Sequence, residues 1–172
     1  NHPSAKTVTF FEVDLPAFST RKQKLLQLAQ VPTSNTQYIS HDILSGDIVE
    51  KLKSYGFDSN KATLVTVEGI SMYLPKAKFQ TFLQQLNQIT TVQVEMDWFE
   101  ESVINMDQEK CGELALLAKI FEQKNAKWTT FYTPSEIANY LNKTAEVSTA
   151  WAMLQTQQKQ RWADYNLEFS IC

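Results

Sequence analysis

The chain has 172 residues, 43% apolar and 20% charged, with a formal net charge of −3; this suits one folded domain and argues against a disordered chain. The acidic balance argues against nucleic acid as a partner, and no run approaches the roughly 18 apolar residues of a membrane span. Two histidines and two distant cysteines, Cys111 and Cys172, leave no cysteine-rich zinc site and no disulfide framework, so no metal and a cytoplasmic setting are expected.

The β-branched and aromatic run 7–13 predicts a strand that ends at Asp14. Residues 17–29 follow as a helix, with Leu25, Leu26 and Leu28 on one side. A short strand over 37–40 ends in His41-Asp42. A second helix is expected over 47–55, with Gly56 in the left-handed position after its last turn. The run 62–67 is apolar and β-branched almost throughout, which suits a strand covered on both faces. It ends at Glu68-Gly69.

Phe79, Phe82, Leu83 and Leu86 mark one face of a third helix over 76–89, and a fourth strand over 91–96 ends at Asp97-Trp98. A long amphipathic helix is expected over 109–124. Thr133-Pro134-Ser135-Glu136 is a helix start, with Thr133 as cap, Pro134 in the first turn and Glu136 closing a capping box. That helix runs to about Asn142. A strand over 145–151, a helix over 154–163 and a strand over 166–172 complete the chain.

This alternation predicts an α/β fold, a mostly parallel sheet with helices on both faces, in a single domain over 1–172. Only four glycines are present, Gly46, Gly56, Gly69 and Gly112, where average usage would give roughly a dozen. No two are close enough for a phosphate-cradling fingerprint. The chain opens with Asn1-His2-Pro3 and enters a strand almost at once, which reads as an N-terminally truncated domain.

In an open parallel sheet, ligands bind beyond the carboxyl ends of the strands. Here those ends carry Asp14, His41-Asp42, Glu68 and Asp97. A carboxylate in that place can accept both hydroxyl protons of a ribose diol, and others can take an adenine amino group or an ammonium. For any single acid, helix capping or turn formation is the commoner role; the succession of four points to a cationic ligand carrying ribose and adenine. Ile70, Met72, Tyr73 and Leu74 put apolar side chains beside Glu68, suited to a thioether or an apolar substrate group, although ordinary core is the simpler role for Ile70 and Leu74. His41 suits either a general base or, more commonly, a hydrogen-bonded loop residue. The tryptophans read as core or rim aromatics and Cys111 as a small buried apolar residue.

Phe10-Phe11-Glu12-Val13-Asp14-Leu15-Pro16, followed by Thr20-Arg21-Lys22, resembles the second motif of the leucine carboxyl methyltransferase-like family. Ser40-His41-Asp42-Ile43 is similar to its third-strand acidic motif. Tyr55-Gly56-Phe57-Asp58 and Val67-Glu68-Gly69-Ile70-Ser71-Met72-Tyr73-Leu74-Pro75 resemble the approach to, and the end of, its fourth strand. The resemblance is specific from Phe10 to Pro75 and weak after Asp97. It implies a Rossmann-like class I methyltransferase fold and S-adenosyl-L-methionine as cofactor.

In that resemblance Asp14 would hold the ribose hydroxyls, and Asp42 and Ile43 would bind and flank the adenine. Glu68 would lie near the methionine portion, and Tyr73 would line the substrate side. The implied reaction is O-methyl transfer, most simply to the carboxylate of a small molecule or protein. Such an acceptor is already ionised at neutral pH, so no Ser/His/Asp nucleophile system is required. The family's first strand and glycine loop would precede Asn1. In this fold that strand sits between the strands at 7–13 and 62–67, so its absence would leave a gap suited to a second copy of the chain. Two alternatives stand beside this reading: a nicotinamide-dependent Rossmann oxidoreductase, whose ribose also needs a strand-end acid, and a non-catalytic remnant acting through protein contacts.

Overall fold

The computed structural model describes residues 7–99 and 119–142. Within them β1 (Phe10–Asp14), α1 (Pro16–Leu28), β2 (Thr36–Ser40), α2 (Ile48–Ser54), β3 (Thr63–Val67), α3 (Lys76–Gln85), β4 (Val92–Met96) and α4 (Pro134–Leu141) follow in chain order. The elements expected at 145–151, 154–163 and 166–172, and most of the helix at 109–124, lie outside the described residues. The chain groups into two compact units: Asn1–Thr66 with Lys76–Glu95, and Val67–Pro75 with Met96–Cys172.

In the first unit β1 and β2 run parallel with Phe10 opposite Thr36 and Asp14 opposite Ser40. A parallel pair needs a crossover, and α1 supplies it. Pro16 opens α1, where its missing N–H costs nothing. The helix closes in a Schellman turn: Val31 N–H donates to Leu26 O at 3.0 Å and Gln30 N–H to Gln27 O at 3.1 Å, with Gln30 left-handed at φ +52°. The second helix ends in the same way. Phe57 N–H reaches Leu52 O, Gly56 N–H reaches Lys53 O, and Gly56 takes φ +87° as its position predicts. Phe57 is thereby set edge-on against Phe11 of β1, ring centroids 5.5 Å apart.

β3 and β4 form a separate two-stranded sheet. Thr63 N–H donates to Thr91 O at one end and Asp97 N–H to Val67 O at the other, so these strands also run parallel, with α3 between them in sequence. The buried side of the first unit is built from Ile39 of β2, Ile48 and Val49 of α2, and Phe79, Phe82, Leu83, Leu86 and Ile89. Phe79 and Phe82 stack with centroids 5.5 Å apart. After Gln85 the third helix tightens to a 3-10 turn over Leu86–Gln88, which keeps Leu86 and Ile89 inward.

Two expectations for the first unit need correction. β3 is not covered on both faces: Leu64 is 57% exposed, because residues 64 and 66 alternate outward and β4 is its only strand neighbour among the described residues. Of the three leucines of α1 only Leu26 is even half-buried. Leu28 is 71% exposed and Leu25 56%, and Ser19 is the buried residue of that helix.

In the second unit a 3-10 turn over Ser71–Tyr73 buries Ser71 and Met72, while Ile70, expected in the core, is exposed. Thr129 and Thr130 both donate their N–H to Met72 O, and Thr130 Oγ1 donates to Leu74 O at 2.6 Å. The capping box at Thr133 and Glu136 forms in full. It starts α4, whose Ile137 and Leu141 are buried.

Candidate functional site

The first unit brings Asp14 and Asp42 to the same edge of one sheet. Asp14 is the last residue of β1, and the ladder continues one step beyond β2 through His41 N–H to Asp14 O at 2.9 Å. Parallel pairing alone requires this: strands in register and in the same direction must end side by side. Asp14 Oδ1 accepts the Leu15 N–H at 2.8 Å, and Asp42 Oδ1 accepts the Leu44 N–H at 2.9 Å. In each carboxylate the second oxygen accepts no hydrogen bond among the described residues. Neither acid caps a helix: Leu15 and Asp47 occupy the N-cap positions of α1 and α2. Asp42 is exposed and Ile43 half-buried beside it.

The loop from His41 to Asp47 carries a further cluster. His41 Nε2 lies 2.8 Å from Asp47 Oδ1 and 2.8 Å from Ser45 Oγ, and Ser45 Oγ also contacts Asp47 Oδ1. The Ser45 hydrogen bond, then His41, hold the Asp47 carboxyl below the usual carboxylate range. Asp47 thus leaves α2 without a side-chain cap, and Gln85 Oε1 from α3 accepts the Ile48 N–H instead, at 3.0 Å. The sequence offered one signal for this loop, the Ser45-Gly46-Asp47 turn chemistry. It gave none for the closure of Asp47 onto His41.

The second unit holds Glu68, Tyr73 and Asp97. Asp97 is an anchor: both its carboxylate oxygens lie 2.9 Å from the Gly69 N–H, and its backbone carbonyl accepts from Ser71 Oγ at 2.6 Å. The strand-end acid at 97 therefore fixes the 69–71 turn. Gly69 itself sits at φ +69°, a conformation that L side chains rarely adopt. Glu68 is exposed and its carboxylate has no hydrogen bond among the described residues. Tyr73 is half-buried, and its hydroxyl accepts from Trp128 Nε1 at 3.1 Å. Trp128 also packs on Phe99 at 4.4 Å and Phe121 at 5.8 Å between ring centroids. Sequence reasoning assigned Trp128 to core or rim and missed its bond to Tyr73.

An open hollow of about 750 Å³ lies between α1 and the approach to β2, lined by Thr20, Lys24, Gln27, Thr33 and Tyr38 among others. It contains none of the expected site residues. Among the described residues no three metal-ligating side chains gather, and no helix is long and apolar enough to cross a membrane.

Parallel strand pairs with helices between them make this an α/β protein, consistent with a Rossmann-like methyltransferase fold. The family profile of leucine carboxyl methyltransferase matches residues 1–87, half of the chain, and the chain belongs to that family of methyltransferases. No curated protein matches it.

Proposed function

We propose that the chain carries the cofactor-binding core of an S-adenosyl-L-methionine-dependent O-methyltransferase acting on a carboxylate of a small molecule or protein. The observation that carries this reading is the pair Asp14 and Asp42, at adjoining strand ends with one oxygen each turned to the local backbone. Two carboxylates so placed fit an adenosine group, one accepting the ribose hydroxyl protons and the other the adenine amino group. Ile43 supplies an apolar flank. Glu68 is assigned to the methionine portion of the cofactor and Tyr73 to the acceptor side, both from the family motif. Bound S-adenosylmethionine would supply a methyl group made electrophilic by its sulfonium. The residues of the chain then hold the acceptor in line and exclude water, which suffices for an acceptor already ionised.

Isothermal titration of the full-length protein with S-adenosylhomocysteine and, separately, with NAD tests the reading. S-adenosylhomocysteine is expected to bind and NAD not. Asp14→Ala or Asp42→Ala should weaken binding roughly 10- to 100-fold, since a hydrogen bond to a charged group contributes about 1.5–3 kcal/mol. Binding of NAD alone would remove the methyl-transfer reading.

A second reading, action through contact with another copy of the chain, is favoured by one observation. Phe10 in β1 and Leu64 in β3 are large apolar side chains left 45% and 57% exposed. Apolar residues left exposed on strands are compatible with a surface that another chain covers.

A further inference from the structure

The loop between β2 and α2 is folded around His41, whose side chain is only 16% exposed. Proton counting narrows the arrangement. The Asp47 carboxylate offers only lone pairs, so the His41 Nε2 that lies 2.8 Å from it must carry a hydrogen. The Ser45 hydroxyl has one hydrogen and two acceptors within reach, Asp47 Oδ1 and, at 2.7 Å, Asp42 O. Ser45 donates to one of them at a time, and in the arrangement that donates to Asp42 O its oxygen can accept from His41 Nε2, linking the backbone of Asp42 to the histidine cluster. These contacts also exclude a nucleophile system. Ser45 and Asp47 meet the same ring nitrogen, whereas catalytic triads place serine and carboxylate on opposite nitrogens.

Asp42, Ser45, Gly46 and Asp47 are all exposed, so packing does little to hold this turn. Gly46, at φ +93°, lets the chain turn back on itself and leaves it many other conformations. Ile48 and Val49 are buried directly after it, and His41 is fixed directly before it by the ladder bond to Asp14 O. The turn has two anchored ends and a pliable middle.

We propose that His41 is a positioning residue for cofactor binding: through Ser45 and Asp47 it holds the 42–47 turn in the conformation that presents Asp42 and Ile43 to an adenosine group. The inference rests on the adenosine-binding role proposed for Asp42. Its physical content is a population. When only a fraction of molecules holds the competent turn, the apparent dissociation constant rises in inverse proportion to that fraction.

The test is titration of full-length variants with S-adenosylhomocysteine, with thermal unfolding measured in parallel. His41→Leu is expected to bind about tenfold more weakly. His41→Gln, whose amide can donate in place of Nε2, should stay within about threefold of wild type. Ser45→Ala, at an exposed position, should weaken binding about threefold without changing the unfolding temperature. Unchanged affinity in His41→Leu or in Ser45→Ala overturns the proposal, as does equal loss in the Leu and Gln variants. Asp42→Ala separates the two layers. If it leaves affinity unchanged, the role of Asp42 fails and the clamp falls with it; if it weakens binding while His41→Leu does not, the clamp alone is overturned.

Discussion

Trp128 Nε1 donates its hydrogen to the Tyr73 hydroxyl at 3.1 Å, across 55 residues of sequence. The indole nitrogen is a donor only, so it takes the acceptor side of the phenol and leaves the Tyr73 hydrogen to donate elsewhere. This gives the family's Tyr-Leu-Pro motif a fixed orientation in the second unit.

Removing that acceptor should be costly. Tyr73→Phe leaves the indole N–H of the buried Trp128 without this partner, which costs about 1–3 kcal/mol. Urea denaturation of the full-length protein is expected to show a lower midpoint with an unchanged slope. An unaltered midpoint would mean that water replaces the phenol.

Helix ends offer an opposed pair of substitutions. Gln30 occupies a left-handed position at φ +52° where glycine is preferred. Gln30→Gly should therefore stabilise the chain by roughly 0.5–1 kcal/mol. Gly56 holds the equivalent place at φ +87°, and a Cβ there would meet nothing within 4 Å. Gly56→Ala is strained by its backbone alone and should cost about 1 kcal/mol. Thermal unfolding of both variants checks the pair; shifts of the same sign would refute the argument.

Acid should loosen the 41–47 loop. The pKa of Asp47 is depressed, first by its hydrogen bond from Ser45 and then by His41. A carboxyl with a depressed folded pKa contributes stability above its unfolded value and loses it as the pH falls through the folded one. The contribution is expected to be complete at neutral pH, to decline once the pH falls past the ordinary carboxyl value of 3.8, and to be gone only below the lowered folded value. Asp47→Asn should abolish this part of the acid dependence. Backbone amide exchange at residues 44–48, followed from pH 6 to pH 3, reads it directly, and identical profiles for the two proteins would contradict it.

Self-association can be checked on chain 1–172. Sedimentation velocity is expected to show an oligomer that Phe10→Ser with Leu64→Ser disperses, because exposed strand residues are natural points of edge pairing. A monomer at all concentrations would count against contact between copies.

Local chemistry was legible in the sequence. Thr133 and Glu136 fix a helix start through a four-residue pattern, Gly56 fixes a helix end, and acids at residues 14, 42, 68 and 97 fall just past apolar runs. These depend on neighbours in the chain, so the order of residues suffices to determine them. Which residues are buried was less legible. Leu25, Leu28 and Leu64 look like core by type, yet they are exposed, since burial depends on what packs against an element.

Tertiary structure alone distinguished among the acids. Asp14 and Asp42 adjoin because β1 pairs with β2 in register. Asp97 is occupied by the Gly69 amide, 28 residues away. Asp47 turns from its own helix to His41 while Gln85, from another helix, takes the vacated N–H. A carboxylate has the same chemistry at all four places; Asp14, Asp42 and Asp47 bond groups within six residues while Asp97 takes one 28 residues away, and which acids adjoin is decided by strand pairing that only folding brings about.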